Sequence, residues 1–397
     1  MWGLSAERIA IRLLTAAYLI AMYFLIADPE WTGVETTLGA VFCLAVLLRN
    51  IRIGQTPLPA LFYLAVLFWF SLSLSSYFNY LSDSDPGPIG AQAHKSLSLL
   101  FSILIGYCFS LYSRDPRELV FVSHLICLCT MGLCLLIMAR YSPGSSALNI
   151  EKTVMGFGSS NHNAWAMAVL MVPALICATR HPAPGLRGLV LLAIVLMLTT
   201  HATATASRQG VLYAALLALA FAWRSPAGTR LGLTLLAVAL PALLIMLSEQ
   251  AQIATQLIAE RYQRVAIFLL EGEGASSEGS LPDRLEMSAT SLSLWLQSPL
   301  YGWGLDGFSR HSGYASYSHN SISETLVSGG LLAAGFYAAI LFITLTRLKK
   351  FWPIAALLLV SLAFIVTFQT RPHWIGLFMI LIATVSDPKM NADSTRA

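Results

Sequence analysis

The stretch of sequence that decides the fold is the run of residues 119–139, which reads LVFVSHLICLCTMGLCLLIMA. It contains no Asp, Glu, Lys or Arg. A helix needs about 20 predominantly apolar residues to cross the hydrocarbon core of a bilayer, and this run has that length. The sequence therefore predicts a transmembrane helix here, and similar runs lie on both sides of it.

The composition of the whole chain also favours a membrane protein. Hydrophobic residues make up 56% of the 397 residues and charged residues only 11%, whereas soluble domains carry about 25% charged residues. The net charge of +4 is weak and indicates no nucleic-acid partner. The six cysteines lie in apolar runs without metal-ligand spacing, so we interpret them as buried apolar side chains.

Apolar runs along the chain predict an all-α, polytopic transmembrane bundle of about twelve spans. Residues 1–247 hold nine spans, residues 248–320 form a long loop, and residues 321–397 hold three spans and a tail, all as one functional unit. The runs lie near 9–27, 33–48, 58–78, 97–112, 119–139, 164–179, 186–200, 211–223, 231–247, 321–345, 353–369 and 373–386.

The distribution of basic residues predicts the orientation of the bundle. With the N-terminus inside, the inner loops carry eleven Lys and Arg residues and the short outer loops carry five. Because cytoplasmic loops are enriched in Lys and Arg, we expect both termini to be cytoplasmic and the long loop to lie on the outer face.

The long loop is expected to form a helical cap on the bundle. Residues 248–270 have helical apolar spacing, and a second helix is predicted to start at Ser280-Leu-Pro-Asp283, with Ser280 as a candidate cap. The segment Ser298-Pro-Leu-Tyr-Gly-Trp-Gly304 should end that helix. A loop of this length is usually functional or disordered.

Two arginines on the outer side are candidate ligands for a phosphate group. Arg208 follows Ser207 in the small and polar segment TATASRQG (203–210), and Arg284 opens the second loop helix. A guanidinium binds phosphate oxygens bidentately, and a helix N-terminus adds positive charge. The alternatives are that Arg208 contacts lipid headgroups and that Arg284 pairs with Asp283 or Glu286.

The segment YSHNSISE (317–324) contains a candidate general base. Histidine titrates near neutral pH, so His319 suits proton removal from a sugar hydroxyl. We expect Glu324 to orient His319. The alternative is that Asn320 or a neighbouring serine merely caps the next span.

Asparagines before the sixth span are candidate substrate contacts. Asn161 and Asn163 follow a Gly-rich turn, so they suit sugar or phosphate binding, and Asn163 alternatively suits a helix cap. Asp83 and Asp85 look like a metal-holding acid pair, but the neighbouring prolines indicate a plain turn. We therefore expect no metal and no cofactor.

The order of these motifs resembles that of the O-antigen ligase/polymerase superfamily of integral-membrane glycosyltransferases. Arg208 and Arg284 are followed by Trp295-x-x-Ser-Pro-x-x-Gly-x-Gly304 and then by His319-Asn320. This resemblance covers about residues 160–330 by motif and the whole chain by topology. The family's essential arginines match Arg208 and Arg284, and its histidine matches His319.

The resemblance implies a metal-independent, inverting, GT-C-like enzyme with a periplasmic active site in the bacterial inner membrane. Its donor would be an undecaprenyl-diphosphate-linked glycan, and its acceptor would be lipid A-core or another glycan. The arginines would bind the diphosphate, and His319 and Glu324 would be catalytic. From the residues themselves, Asn161, Asn163, Ser207 and Asn320 remain candidates for substrate binding.

Within the superfamily, the sequence favours a ligase over a polymerase. Some polymerases have about fourteen spans and an Arg-x10-Gly motif, whereas Leu219 and Trp295 stand eleven residues after the two arginines here. An O-antigen or exopolysaccharide polymerase is the alternative. A lipid-linked-glycan flippase is disfavoured, because ionisable residues are nearly absent from the spans.

Overall fold

The computed structural model describes residues 5–25, 32–53, 60–82, 89–140, 160–180, 183, 185–204, 207–224, 252, 256, 263, 281–314, 317–364 and 368–385. Within these ranges every regular element is a helix, which confirms the all-α class. We number the helices in chain order. They are α1 (Ala6–Leu25), α2 (Thr32–Ile53), α3 (Ala60–Ser82), α4 (Ile89–Tyr112), α5 (Pro116–Arg140), α6 (Ser160–Arg180), α7 (Leu186–Thr203), α8 (Arg208–Arg224), α9 (Leu281–Gln297), α10 (Gly307–His311), α11 (Ser321–Arg347), α12 (Trp352–Phe364) and α13 (Arg371–Val385).

Several of these helices have the length and composition of membrane spans. Six qualify among the described residues, namely Gly33–Arg52, Ala60–Leu81, Gly90–Tyr112, Pro116–Ala139, Asn161–Arg180 and Ser321–Arg347. Shorter apolar segments occur in α7, α8 and α12. The total of about twelve spans stays a prediction, and the predicted span 231–247 lies outside the described residues.

Helix α6 lies at the centre of the bundle. Nearly all of its side chains are buried, including Trp165, and it packs against α5, α7, α8 and α13. Helix α13 also packs along α4, where a Cβ on Gly106 would lie 2.7 Å from the backbone of Trp374. Small residues at such crossings let transmembrane helices approach closely and gain van der Waals contact.

Ion pairs bring the start of α1 together with the end of α2 and the start of α5. Arg12 of α1 binds Glu118 of α5, with 2.9 Å between Nε and Oε2, and Arg52 of α2 binds Glu7 of α1 at 3.2 Å. We call this end of the bundle the N-terminal face. These contacts agree with the up-and-down order that the sequence predicts for the first helices.

Two further ion pairs lie at the opposite end of the bundle. Glu35 at the start of α2 pairs with Arg371 at the start of α13. Lys95 near the start of α4 pairs with Asp306, which precedes α10, with 2.5 Å between Nζ and Oδ2. We call this end the site face, because the candidate residues for chemistry lie there.

Candidate functional site

Helix α11 is interrupted on the site face. Gly330 has φ 61° and ψ −160°, which breaks the helix nine residues after its start. The carbonyl oxygens of Val327 and Ser328 accept hydrogen bonds from the backbone N–H groups of Trp303 (2.6 Å) and Gly304 (2.9 Å). The segment that follows α9 therefore supplies donors to carbonyl groups at the break.

The same segment also accepts hydrogen bonds from α11. The N–H of Leu331 donates to the carbonyl of Pro299 at 2.8 Å, and that of Leu332 donates to Leu300 at 3.4 Å. Non-helical backbone at membrane depth is tolerated where protein satisfies its polar groups. The motif Pro299-x-x-Gly302-x-Gly304 thus docks against the break in α11.

Glycine is required at this contact because the two backbones touch. A Cβ on Gly302 would lie 2.5 Å from the carbonyl oxygen of Val327, and a Cβ on Gly330 would lie 2.3 Å from the carbonyl carbon of Leu300. Real Cβ atoms essentially never approach that closely. The sequence prediction that this motif ends the second loop helix is confirmed, since α9 ends at Gln297.

Three polar side chains of α3 complete the docking, and the sequence analysis missed them. The hydroxyl of Ser75 donates to the Ser328 carbonyl at 2.9 Å and accepts from the N–H of Gly304 at 3.0 Å. Ser76 Oγ accepts from Leu305 N at 2.8 Å, and Asn79 Nδ2 donates to the Gly302 carbonyl at 3.0 Å. The available signal was the run of polar residues within an apolar span, SLSLSSYFN (71–79).

His319 lies just before α11 in a left-handed backbone conformation, with φ 54°. Its ring is 4.6 Å from the ring of Tyr317, centroid to centroid. The Tyr317 hydroxyl is in turn 3.1 Å from Nε2 of His162, near the start of α6. The imidazole is therefore next to a tyrosine that is fixed to the central helix, and neither His162 nor Tyr317 was singled out from the sequence.

Glu324 is buried and acts on the backbone beside His319. One carboxylate oxygen accepts a hydrogen bond from the N–H of Ser318 at 3.0 Å, and the other accepts from the Ser328 hydroxyl at 3.4 Å. We expected Glu324 to orient the imidazole itself. The carboxylate holds the chain one residue before His319, and a direct effect of Glu324 on the imidazole stays a prediction. The catalytic role of both residues stays a prediction.

Asn320 caps helix α11. Its Oδ1 accepts hydrogen bonds from the N–H groups of Ile322 (2.8 Å) and Ser323 (3.2 Å). This is the capping alternative considered from the sequence, and it satisfies two donors that an N-terminal turn otherwise leaves open. A substrate contact by Asn320 stays a prediction.

Ser207 and Asn161 form a second polar pair on the site face. The Ser207 hydroxyl donates to Oδ1 of Asn161 at 2.8 Å and accepts from the N–H of Gly210 at 3.1 Å. Ser207 therefore caps α8 and ties its start to the start of α6. Asn163 is buried within the first turn of α6, which begins at Ser160. The alternative interpretation of Asn163 as a helix cap is therefore wrong.

The two candidate diphosphate ligands each lie at the start of a helix. Arg208 is the first residue of α8, and Arg284 lies in the first turn of α9. Their side chains lie outside the described part of the structure. The helix starts themselves carry partial positive charge, which favours an anion nearby.

Among the residues that the structure describes, no group of three or more His, Cys, Asp or Glu residues could hold a metal ion. Asp83 and Asp85 lie outside the described residues.

The structure thus defines a class of protein, an all-helical multi-pass membrane protein with polar clusters gathered at one end. Residues 187–338 match the family model described as O-antigen ligase. The matched region includes α7 to α10 and the broken start of α11, and it supports the resemblance to the O-antigen ligase/polymerase superfamily. The matched family is one of membrane glycosyltransferase-like enzymes that act on lipid-linked glycans and glycan acceptors. No curated protein matches the chain.

Proposed function

We propose that the protein is an O-antigen ligase, which transfers a glycan from undecaprenyl diphosphate to lipid A-core by a metal-independent, inverting displacement. The observation that carries this proposal is the position of the motifs within the O-antigen ligase match. The docked Pro-x-x-Gly-x-Gly segment, the His319 segment and Ser207 lie within the match and on one face of the bundle, where Ser207 is bound to Asn161 of α6.

The proposed chemistry assigns one task to each group. Departure of the carrier lipid leaves negative charge on a diphosphate, and Arg208 and Arg284 would stabilise that charge where it develops. His319 would remove the proton from the acceptor hydroxyl. An inverting displacement then requires only that the hydroxyl be held in line with the bond that breaks.

The surroundings of His319 support a role that needs fixed geometry. Glu324 fixes the backbone at Ser318, Asn320 caps α11, and Tyr317 contacts the imidazole ring. Functional groups work best when neighbouring packing and hydrogen bonds lock their position. A histidine that served only as a surface residue would not need this support.

The charge bias of the loops supports a periplasmic site. The N-terminal face is the one that the basic residues assign to the cytoplasm, so the site face would be periplasmic in the bacterial inner membrane. Lipid-linked glycan and lipid A-core would both reach that face from within the membrane.

The first experiment measures glycan transfer by purified protein with substitutions at the two arginines. Arg208→Ala and Arg284→Ala should each abolish transfer, and Arg208→Lys should recover little because an ammonium lacks the bidentate fork. Arg347→Ala, at the exposed far end of α11, is the matched control and should stay active. Full activity in either site variant would exclude that arginine from diphosphate binding.

The second experiment separates chemistry from binding at His319. His319→Ala should slow transfer by about 10²–10⁴-fold, the usual contribution of a positioned base, while binding of the lipid-linked donor persists. His319→Gln keeps hydrogen-bonding capacity without a usable base and should be as slow. If His319→Gln retained most turnover, His319 would be only a structural or acceptor contact.

The acceptor decides which member of the superfamily this is. A ligase should add one glycan to each lipid A-core molecule. Growth of the glycan on the carrier lipid, with lipid A-core ignored, would make the protein a polymerase. Movement of the donor across a vesicle membrane without transfer would make it a flippase.

A further inference from the structure

A cavity of about 230 Å³ opens on the site face between α4, α6 and the start of α13. None of its wall residues was a candidate from the sequence. The residues that matter to the argument are Ser98, Ser102, His162, Trp165, Thr370 and Arg371.

The size of the cavity suits one six-membered ring. An apolar cavity of about 150 Å³ holds a benzene molecule, and drug-sized ligands occupy about 300–1,000 Å³. The observed volume lies between these values. A single pyranose ring with its hydroxyl groups therefore fits, and a longer glycan would have to extend out of the opening.

The charge in the cavity wall is already compensated. Arg371 forms an ion pair with the buried Glu35 and donates to the Thr36 hydroxyl at 3.1 Å. Its guanidinium also lies over the Phe101 ring, 5.3 Å from the centroid. Because these partners neutralise and hold Arg371, the cavity is suited to a neutral ligand rather than to a phosphate.

The remaining wall groups suit a ligand that is rich in hydroxyls. Ser98, Thr370 and His162 are partly exposed and offer hydrogen-bonding groups at the opening. Trp165 is 1% exposed, and its indole N–H has no acceptor among the residues that the structure describes. That N–H is itself buried, so the wall groups that a ligand can reach are those at the opening.

The cavity is connected to the proposed base. His162 belongs to the cavity wall and is bound to the Tyr317 hydroxyl at 3.1 Å. Tyr317 in turn contacts the ring of His319. A ring in the cavity would thus lie two side chains away from the imidazole, on the side of the central helix α6.

We infer that this cavity is a subsite for the acceptor, and that it holds the sugar ring that adjoins the one whose hydroxyl is glycosylated. This inference rests on the proposed function for its place in the reaction. The ligand it predicts is a neutral pyranose, held by hydroxyl and imidazole groups rather than by charge. The diphosphate of the donor would bind separately, near the starts of α8 and α9.

The test is direct binding of an acceptor fragment to the full-length protein in detergent. The probe is the core oligosaccharide released from lipid A by mild acid, measured by calorimetry without donor. Ser98→Leu places a branched side chain in the cavity and should weaken binding at least tenfold. Ser98→Ala, which removes the hydroxyl without filling the cavity, should change binding by no more than a few-fold.

A second variant guards against misfolding of the first. Thr370→Val keeps the branched shape and removes a hydroxyl at the opening, so it should weaken binding by about three- to tenfold, the contribution of one hydrogen bond. The inference is overturned if wild-type protein does not bind the oligosaccharide, or if both Ser98→Leu and Thr370→Val bind it as wild type does. It is also overturned if Ser98→Leu impairs binding of the lipid-linked donor instead.

Binding and transfer separate the two proposals. A wild-type protein that binds the oligosaccharide through this cavity but transfers no glycan would refute the proposed function alone. A wild-type protein that transfers glycan with an unaffected Ser98→Leu variant would refute the subsite alone.

Discussion

Substitution of Gly330 by alanine should release the docked loop from α11. The backbone angles at Gly330 fall in a region that is essentially restricted to glycine, and residues forced into such regions cost about 1–3 kcal/mol. The added Cβ would also lie 2.3 Å from the Leu300 carbonyl carbon. Moving the loop away would break the hydrogen bonds from Leu331 and Leu332, each contributing about 0.5–1.5 kcal/mol, so these bonds oppose the release that the backbone strain favours.

The strain of about 1–3 kcal/mol therefore shifts the equilibrium against the docked state. At about 1.4 kcal/mol for each factor of ten, amide exchange at the docking hydrogen bonds should accelerate by roughly 5- to 100-fold. The measurement is hydrogen–deuterium exchange of the detergent-purified protein, followed on peptides that cover 299–305 and 327–332. Glycan transfer should fall with the loss of protection, because the same segment leads to the His319 region.

Gly335→Ala is the matched control on the same helix. A Cβ at Gly335 meets no atom within 4 Å, and alanine is favoured over glycine in a helix interior by about 1 kcal/mol. This variant should keep wild-type protection at the docking site. If Gly330→Ala exchanged as slowly as Gly335→Ala, the close contact between the loop and α11 would not be the feature that requires glycine.

Three other predictions follow from the contacts described above. Glu324→Leu removes the buried acceptor for the Ser318 N–H and the Ser328 hydroxyl, so it should destabilise the protein by about 1–3 kcal/mol and lower glycan transfer. Glu324→Gln should keep most of the stability. Thermal unfolding that ranks the two variants equally would contradict this. Arg12→Met should lower the free energy of unfolding by about 3 kcal/mol, because it leaves the buried Glu118 carboxylate without its cation. Lys95→Met, from the more exposed pair with Asp306, should lower it by less than about 1 kcal/mol. Chemical denaturation in detergent measures both values, and the reversed order would contradict the prediction. A reporter that is active only in the cytoplasm should work when fused near Arg114 or Lys349 and fail when fused within residues 272–279, and cytoplasmic activity at the last position would invert the orientation.

The positions of the helices follow largely from local sequence. A membrane helix satisfies its own backbone and needs only enough consecutive apolar residues to match the bilayer. The runs at 119–139 and 321–345 therefore correspond to α5 and α11. The start of α4 is less well predicted, because that helix begins at Ile89 and passes through polar residues such as Gln92 before its apolar part.

The candidate site was partly visible in the sequence because its motifs are short and ordered. His319, Asn320 and the Pro-x-x-Gly-x-Gly segment stand out as polar or glycine-containing clusters between apolar runs. Their order was enough to indicate the superfamily, which the match to residues 187–338 supports. The sequence also indicated a turn at the glycine motif, but not the partner against which it docks.

Tertiary structure alone decided which distant residues meet at the site. Ser75 lies 253 positions from Ser328, and His162 lies 155 positions from Tyr317. Such contacts depend on how whole helices pack, and no local pattern of apolar residues carries that information. The sequence determined that α11 would form and would carry Gly330. Only the packed fold paired the carbonyl groups that the break leaves without helical partners with the docked loop and with α3. The physical reason is that backbone groups freed from a helix must be paired when they are buried, and the partner is whichever segment the packing brings there.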